Sequence, residues 1–231
     1  MIKHFLIFFF PSLLILSLLV FDDSFAKNES PEIEKFTFID NSSPAHFGKQ
    51  CDDEVVTEKF TYFKKNIKWK TLPVKYSFHS SVPNEIAKLE ISKAFDTWNN
   101  LYGATFFTEK ISPNIIRFSP IDGEGNIVAV TTMYYSPQDK EFTKFVITFD
   151  SDETWGVGPV ELIGVDGAGF FDYQDVASHE VGHVVGLGHV TSPKDCMLTM
   201  FKFIEEGETI KRTIDNGSGD KLGFEELYGI S

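Results

Sequence analysis

Residues 179–189 read His-Glu-Val-Gly-His-Val-Val-Gly-Leu-Gly-His. His179 and His183 stand four apart, so on a helix both imidazoles leave one face, close enough to grip a single metal ion. Glu180 follows the first of them and is not spaced to be a ligand. Gly186 can take a backbone conformation that ends a helix and turns the chain back, so that His189 supplies a third imidazole. Three neutral imidazoles leave one tetrahedral position for water, the mark of a catalytic rather than a structural zinc site.

This extended motif resembles that of the metzincin metallopeptidases, and in particular the matrixins. The resemblance implies one zinc ion held by His179, His183 and His189, with Glu180 taking a proton from water and passing it to the leaving amine. It also implies a methionine in a tight turn beneath the metal. Met197 and Met200, in Asp195-Cys196-Met197-Leu198-Thr199-Met200, are both candidates, and the Leu-Thr-Met-Phe setting favours Met200. The stretch Gly219 to Gly229 is similar to the closing helix of matrixin catalytic domains, with no binding domain expected after it.

Around these residues the coarse elements follow from periodicity. Leu72, Val74, Tyr76 and Phe78 alternate with polar positions, as in a half-buried strand. From Pro83 a helix is expected, with Ala87, Ile91, Ala94, Phe95, Trp98 and Tyr102 on one face and Gly103 closing it. Strands are expected at 115–118, 127–134 and 145–149, before a helix capped by Asp172. The fold class implied by the resemblance is the α+β zincin type: a twisted, mostly parallel five-stranded sheet with one antiparallel edge strand, and three helices. Residues 127–134 would be that edge, where an extended peptide adds as a strand.

Two further metal questions arise on the resemblance. The run Asp122-Gly123-Glu124-Gly125-Asn126-Ile127 looks like the glycine loop of matrixins, and residues 149–155 look like the acidic segment facing it. Carried over residue by residue, carboxylates from Asp122, Asp150 and Glu153 and carbonyls from Gly123, Gly125 and Ile127 would bind calcium, which wants six or more oxygens. The alternative is an acidic surface turn. The family's structural zinc is not expected, since Val130 and Thr148 stand where its histidines belong.

The first 26 residues pair Lys3 with an apolar run from Phe5 to Phe21 and end Ser24-Phe25-Ala26, the pattern of a cleaved signal peptide. An uncleaved anchor is the alternative. Residues 27–68 read as a linker or short pro-segment, and 69–231 as the catalytic domain. The chain's net charge of −13 argues against nucleic acid or anionic membrane surfaces as partners. Of the two cysteines, Cys51 and Cys196 could form one disulfide in an oxidising compartment. Alternatively Cys51 could be a latency switch, because matrixin pro-segments use a cysteine on the zinc; but Gln50 and Asp52 replace the residues that flank it in that family.

Together these readings predict a secreted, extracellular, monomeric zinc endopeptidase, made as a zymogen, without stable membrane association once the signal is removed. Its substrates would be internal peptide bonds of proteins or peptides. The rival classes are a zinc hydrolase of a non-protein amide and a catalytically weak zinc-binding module.

Overall fold

A computed structural model describes residues 31–43, 57–158, 169–214 and 218–230. The strands are β1 (Glu34–Ser42), β2 (Thr61–Tyr62), β3 (Val74–Phe78), β4 (Phe107–Glu109), β5 (Ile115–Ser119), β6 (Ile127–Ser136), β7 (Glu141–Asp150), β8 (Trp155–Gly156), β9 (Phe171–Asp172), β10 (Leu187–Gly188) and β11 (Phe203–Ile204). Three α-helices accompany them among the described residues: α1 (Glu85–Tyr102), α2 (Tyr173–Val185) and α3 (Gly219–Tyr228). The described residues lie in one compact unit. The expected signal peptide, residues 1–26, and Cys51 lie outside them.

The main sheet runs in the order β11-β1-β6-β7-β5-β3-β4. Its last four strands are parallel to one another, and β6 runs antiparallel to β7. These five are the mostly parallel sheet with one antiparallel strand that the resemblance implies. What differs is the edge: β1 pairs antiparallel with β6 along nearly its whole length, and β11 adds in parallel beyond it. The stretch read as linker or pro-segment, 27–68, thus contributes β1 to this sheet, and β2 as well lies within that stretch. The apolar alternation of β1 is weak because its inward positions are Phe38 and Asp40, and a carboxylate at an inward position breaks the apolar pattern. Phe38 and Asp40 are buried, whereas Ile39 between them is half exposed.

Helix α1 starts on Asn84, whose side chain accepts from Ala87 N–H, and stops at Gly103 in the left-handed conformation. Ala87, Ile91, Ala94, Phe95 and Trp98 form its buried face. Phe95 stacks on Tyr76 of β3 with ring centroids 3.9 Å apart, and Trp98 Nε1 donates to Ser178 O of α2 at 3.0 Å. Each such large side chain, withdrawn from water, stabilises the fold by about 2–3 kcal/mol. α2 therefore packs against both α1 and the sheet. Every residue of α2 except Gln174 is buried, so His179, Glu180 and His183 sit on a helix with no freedom to turn. No helix among the described residues is long and apolar enough to cross a membrane.

Candidate metal centre

Asp172 caps α2 by accepting from Asp175 N–H at 2.9 Å, and Arg212 clasps the same carboxylate through Nε at 2.8 Å. From this fixed start, His179 and His183 come one turn apart on the face toward β1 and β6. The helix ends at Gly186, at φ 110°, whose N–H bonds back to the carbonyls of Gly182 and His183. That left-handed turn, disfavoured for any residue with a Cβ, reverses the chain into β10. β10 pairs with β2, Phe63 N–H donates to Gly186 O at 3.0 Å, and Thr61 Oγ1 donates to His189 O at 3.0 Å. The chain after Gly186 is held at both its turn and its end, and His189 is delivered to the other two histidines.

The three Nε2 atoms converge: His189 lies 3.2 Å from His179 and 3.0 Å from His183. His179 Nδ1 faces Thr199 O at 2.5 Å and His183 Nδ1 faces Leu187 O at 3.0 Å. A carbonyl only accepts, so both Nδ1 atoms carry the proton and both Nε2 atoms present bare lone pairs to the centre. Burial is the largest influence on both rings and favours the neutral form, against the pull of Asp40; His183 is brought down to about 4. Tetrahedral zinc at its usual bond length to imidazole would space its nitrogens about 3.4 Å apart. Bare lone pairs crowded to about that spacing suit a cation and little else, so the residues fit zinc.

Glu180 is fully buried beside this cluster. Its Oε2 accepts from Thr131 Oγ1 of β6 at 2.5 Å, while Oε1 has no protein partner. Burial, followed by the charge of Asp40, pushes its carboxyl well above the usual range, and the Thr131 hydroxyl works against that shift. A carboxylate held near the centre with one oxygen unused is placed to exchange a proton there.

Two residues at this site were not found by sequence reasoning. Thr131 is one; a threonine in a strand carries no signal of which carboxylate it will meet. The other is Asp40 of β1. Its Oδ1 lies 2.5 Å from His189 Nε2, 3.0 Å from His179 Nε2 and 3.6 Å from His183 Nε2, and its Oδ2 is buried without a partner. Among the described residues, Asp40 with the three histidines forms the one group of His, Cys, Asp or Glu whose ligand atoms all fall within 4.8 Å of one another. Asp40 stands 139 residues before His179, and no spacing rule could have linked them.

Of the two methionines, Met200 is buried under α2, and a Cβ placed on Gly182 would come 2.1 Å from its sulfur. Met197 is only partly buried and packs in a separate cluster with Val190, Leu198 and Phe201. Met200 O accepts from Val190 N–H at 2.9 Å, tying this turn to the residue after His189. Cys196, in the same loop, is disulfide-bonded; the chain's other cysteine is Cys51, outside the described residues.

The acidic residues proposed for calcium are arranged differently from a bare cluster. Asp150 is fully buried and accepts from the N–H groups of Ile121, Asp122 and Asp152 at 3.2, 3.2 and 2.9 Å. Glu153 Oε1 accepts from Gly125 N–H at 2.6 Å, and Asp122 Oδ1 from Ile127 N–H at 3.3 Å. The three carboxylates thus hold the glycine loop through backbone donors. Burial and the neighbouring charges of Asp150, Glu124 and Asp122 raise the Glu153 carboxyl, against the pull of Gly125 N–H. Gly123 and Gly125 both have positive φ, 87° and 105°, which shapes the loop around these acids. Val130 and Thr148 face each other across β6 and β7, and Thr148 Oγ1 accepts from Arg117 at 2.9 Å.

Comparison with known proteins gives the chain relatives among metalloendoproteinases. Metalloendoproteinase 1 of Glycine max is 31% identical over 188 residues, covering 74% of this chain and 56% of its own length. Metalloendoproteinase 2-MMP of Arabidopsis thaliana is 26% identical over 217 residues, covering 84% of this chain and 53% of its own. Matrix metalloproteinase-16 of Homo sapiens is 29% identical over 182 residues, covering 70% and 27%. The chain spans about half the length of the first two of these relatives. Residues 61–229, which carry the histidines, Glu180 and Met200, match the matrixin family, and the chain belongs to that family.

Proposed function

We propose that this chain is a secreted zinc-dependent endopeptidase that hydrolyses internal peptide bonds of proteins. The observation that carries the reading is the convergence of three buried imidazoles with their Nε2 lone pairs inward, beside a buried glutamate with one free oxygen. His179, His183 and His189 would hold the metal. Zinc in such a place supplies Lewis acidity and lowers the pKa of water toward neutrality. Glu180 takes the proton of the attacking water and later delivers it to the leaving amine, while Thr131 holds the carboxylate in place. The buried position of Glu180, with Oε1 left unused, suits a group that must both take and give a proton.

Strand β6 orients the substrate. It already holds an extended segment, β1, in antiparallel register from Glu34 opposite Tyr135 to Asp40 opposite Ala129, so it can hold an extended peptide by the same main-chain hydrogen bonds. Met200 is the floor beneath the histidines, a soft side chain that supports α2 and touches no substrate. Calcium in the glycine loop is part of the reading, supported by the full burial of Asp150 and by the crowding of carboxylates around Glu153. So are a Cys51–Cys196 disulfide and an N-terminal signal that directs export, after which the protein is a monomer acting on proteins or peptides and not on nucleic acid.

The test is a peptide-library digest read by mass spectrometry, with and without a zinc chelator, on the zinc-loaded chain and on its Asp40→Ala variant. Internal cleavages that vanish with chelator are expected. Absence of chelator-sensitive products from both proteins, or products only from a non-peptide amide, would sink the endopeptidase reading.

A further inference from the structure

The N-terminal strand occupies two places a substrate needs. Along β6, the paired positions of β1 consume the main-chain donors and acceptors that an incoming peptide would use. At the histidines, Asp40 Oδ1 sits within 3.6 Å of all three Nε2 atoms. Between these, the Phe38 ring stacks on the His183 ring at 3.8 Å, nearly parallel, and Phe36 and Phe38 both lean on Phe63. The far end of the strand is also tied: Glu34 accepts from Tyr135 and pairs with Lys64 at 3.6 Å. The near end is bound by Ser42 N–H to Asn126 O and Ser43 N–H to Ile204 O, each at 2.7 Å.

The placement of Asp40 makes no sense as packing. A carboxylate removed wholly from water, set against neutral imidazoles and next to a second buried carboxylate, is costly unless a cation shares the site. Asp40 Oδ2 and Glu180 Oε1 are both buried and unpartnered, so each of these acids keeps one oxygen that the protein leaves unsatisfied. With a metal on the histidines, both the burial and the spacing of Asp40 are explained.

We propose that Glu34–Ser42 is an autoinhibitory strand, with Asp40 as the fourth protein ligand of the three-histidine zinc, so that the full chain is latent until this strand leaves β6. This deepens the endopeptidase reading and rests on its zinc site. It moves latency from Cys51 to Asp40: Cys196 is disulfide-bonded in the structure, and among the described residues it is the Asp40 carboxylate that lies against the histidines. Removal of the strand opens the position water needs and frees β6 in the same event. A tethered ligand competes at a high effective concentration, so a small zinc ligand in solution should be excluded from the intact chain.

The experiment compares the zinc-loaded full chain with Asp40→Ala and Asp40→Asn, the second keeping the shape of the side chain so that the fold is retained. The readout is the affinity for acetohydroxamate by titration calorimetry, with the absorption spectrum of the cobalt-substituted proteins beside it. At least about tenfold tighter hydroxamate binding in the variants is expected, together with a cobalt spectrum in the parent that does not respond to hydroxamate. Equal binding in parent and both variants would overturn the proposal. This outcome is distinguishable from failure of the endopeptidase reading, in which the variants bind hydroxamate tightly and still cleave no peptide.

Discussion

At the residue scale, the chemistry rests on which oxygen or nitrogen is left unused. Glu180 spends Oε2 on Thr131 and keeps Oε1, whereas each of His179 and His183 spends Nδ1 on a carbonyl and keeps Nε2. In the Asp40→Ala background, Glu180→Ala should lower kcat by about 100- to 10,000-fold, the usual range for losing a general base. Zinc should stay at one ion per chain by elemental analysis; a metal-free variant would mean that Glu180 is a ligand. His189→Ala should lose both metal and activity. Thr131→Val removes the donor that positions Glu180, and should lower kcat by about tenfold with KM unchanged. Thr131→Ser, which keeps the hydroxyl, should restore the rate; failure of that rescue would show that β6 supplies only packing here.

At the element scale, α2 and the turn after it carry the site. Gly186 stands at φ 110°, and a Cβ there would also approach Phe142 to 3.1 Å and Leu227 to 3.3 Å. Gly186→Ala should therefore destabilise the fold by about 1–3 kcal/mol and weaken zinc binding, since His189 follows the turn. Chemical denaturation and a zinc competition assay would check both, and retention of parental zinc affinity would show that β2 and β10 alone place His189. The glycine loop between β5 and β6 is the second such element. Calcium at about a hundred times its dissociation constant should add roughly 2.7 kcal/mol to stability, read as a higher Tm, if it binds the folded state alone. Asp150→Asn should erase most of that rise. A Tm indifferent to millimolar calcium in both proteins would leave the acids as backbone anchors only.

At the scale of the whole molecule, buried acids join elements distant in sequence. Asp220 of α3 is buried, and burial brings its carboxyl up to about 7 against the pull of the Thr199 and Met200 N–H groups and of Lys211, with Asp195 pushing it further up. Thus α3 is bound to the turn beneath the histidines through a carboxyl that prefers to be protonated. Its contribution to stability is fully present below its ordinary value near 4, and is lost as pH rises through about 7. Asp220→Asn cannot ionise, so its Tm should gain on the parent's as pH rises from 4 to 8. A constant difference between the two melting curves across that range would show that Asp220 holds the same charge throughout.

The placing of His179 and His183 on one helical face, with Glu180 beside them and Gly186 turning the chain, was legible in the sequence, because helical spacing and left-handed backbone preference are local properties. The alternation of β3 and the apolar stripe of α1 were legible for the same reason, and with the resemblance they led to the five-stranded sheet. Sequence proximity also brought Met197 and Met200 forward together, with the Leu-Thr-Met-Phe setting favouring Met200, and packing against Gly182 separates them in the structure. What local pattern could not contain is the pairing of β1 with β6. A strand acquires its place from a partner about ninety residues away, and nothing in Phe36-Thr37-Phe38-Ile39-Asp40 specifies that partner. The tertiary structure alone decided that Asp40 meets the histidines and Thr131 meets Glu180, since both contacts require the neighbouring strands β1 and β6 to lie together over one helix.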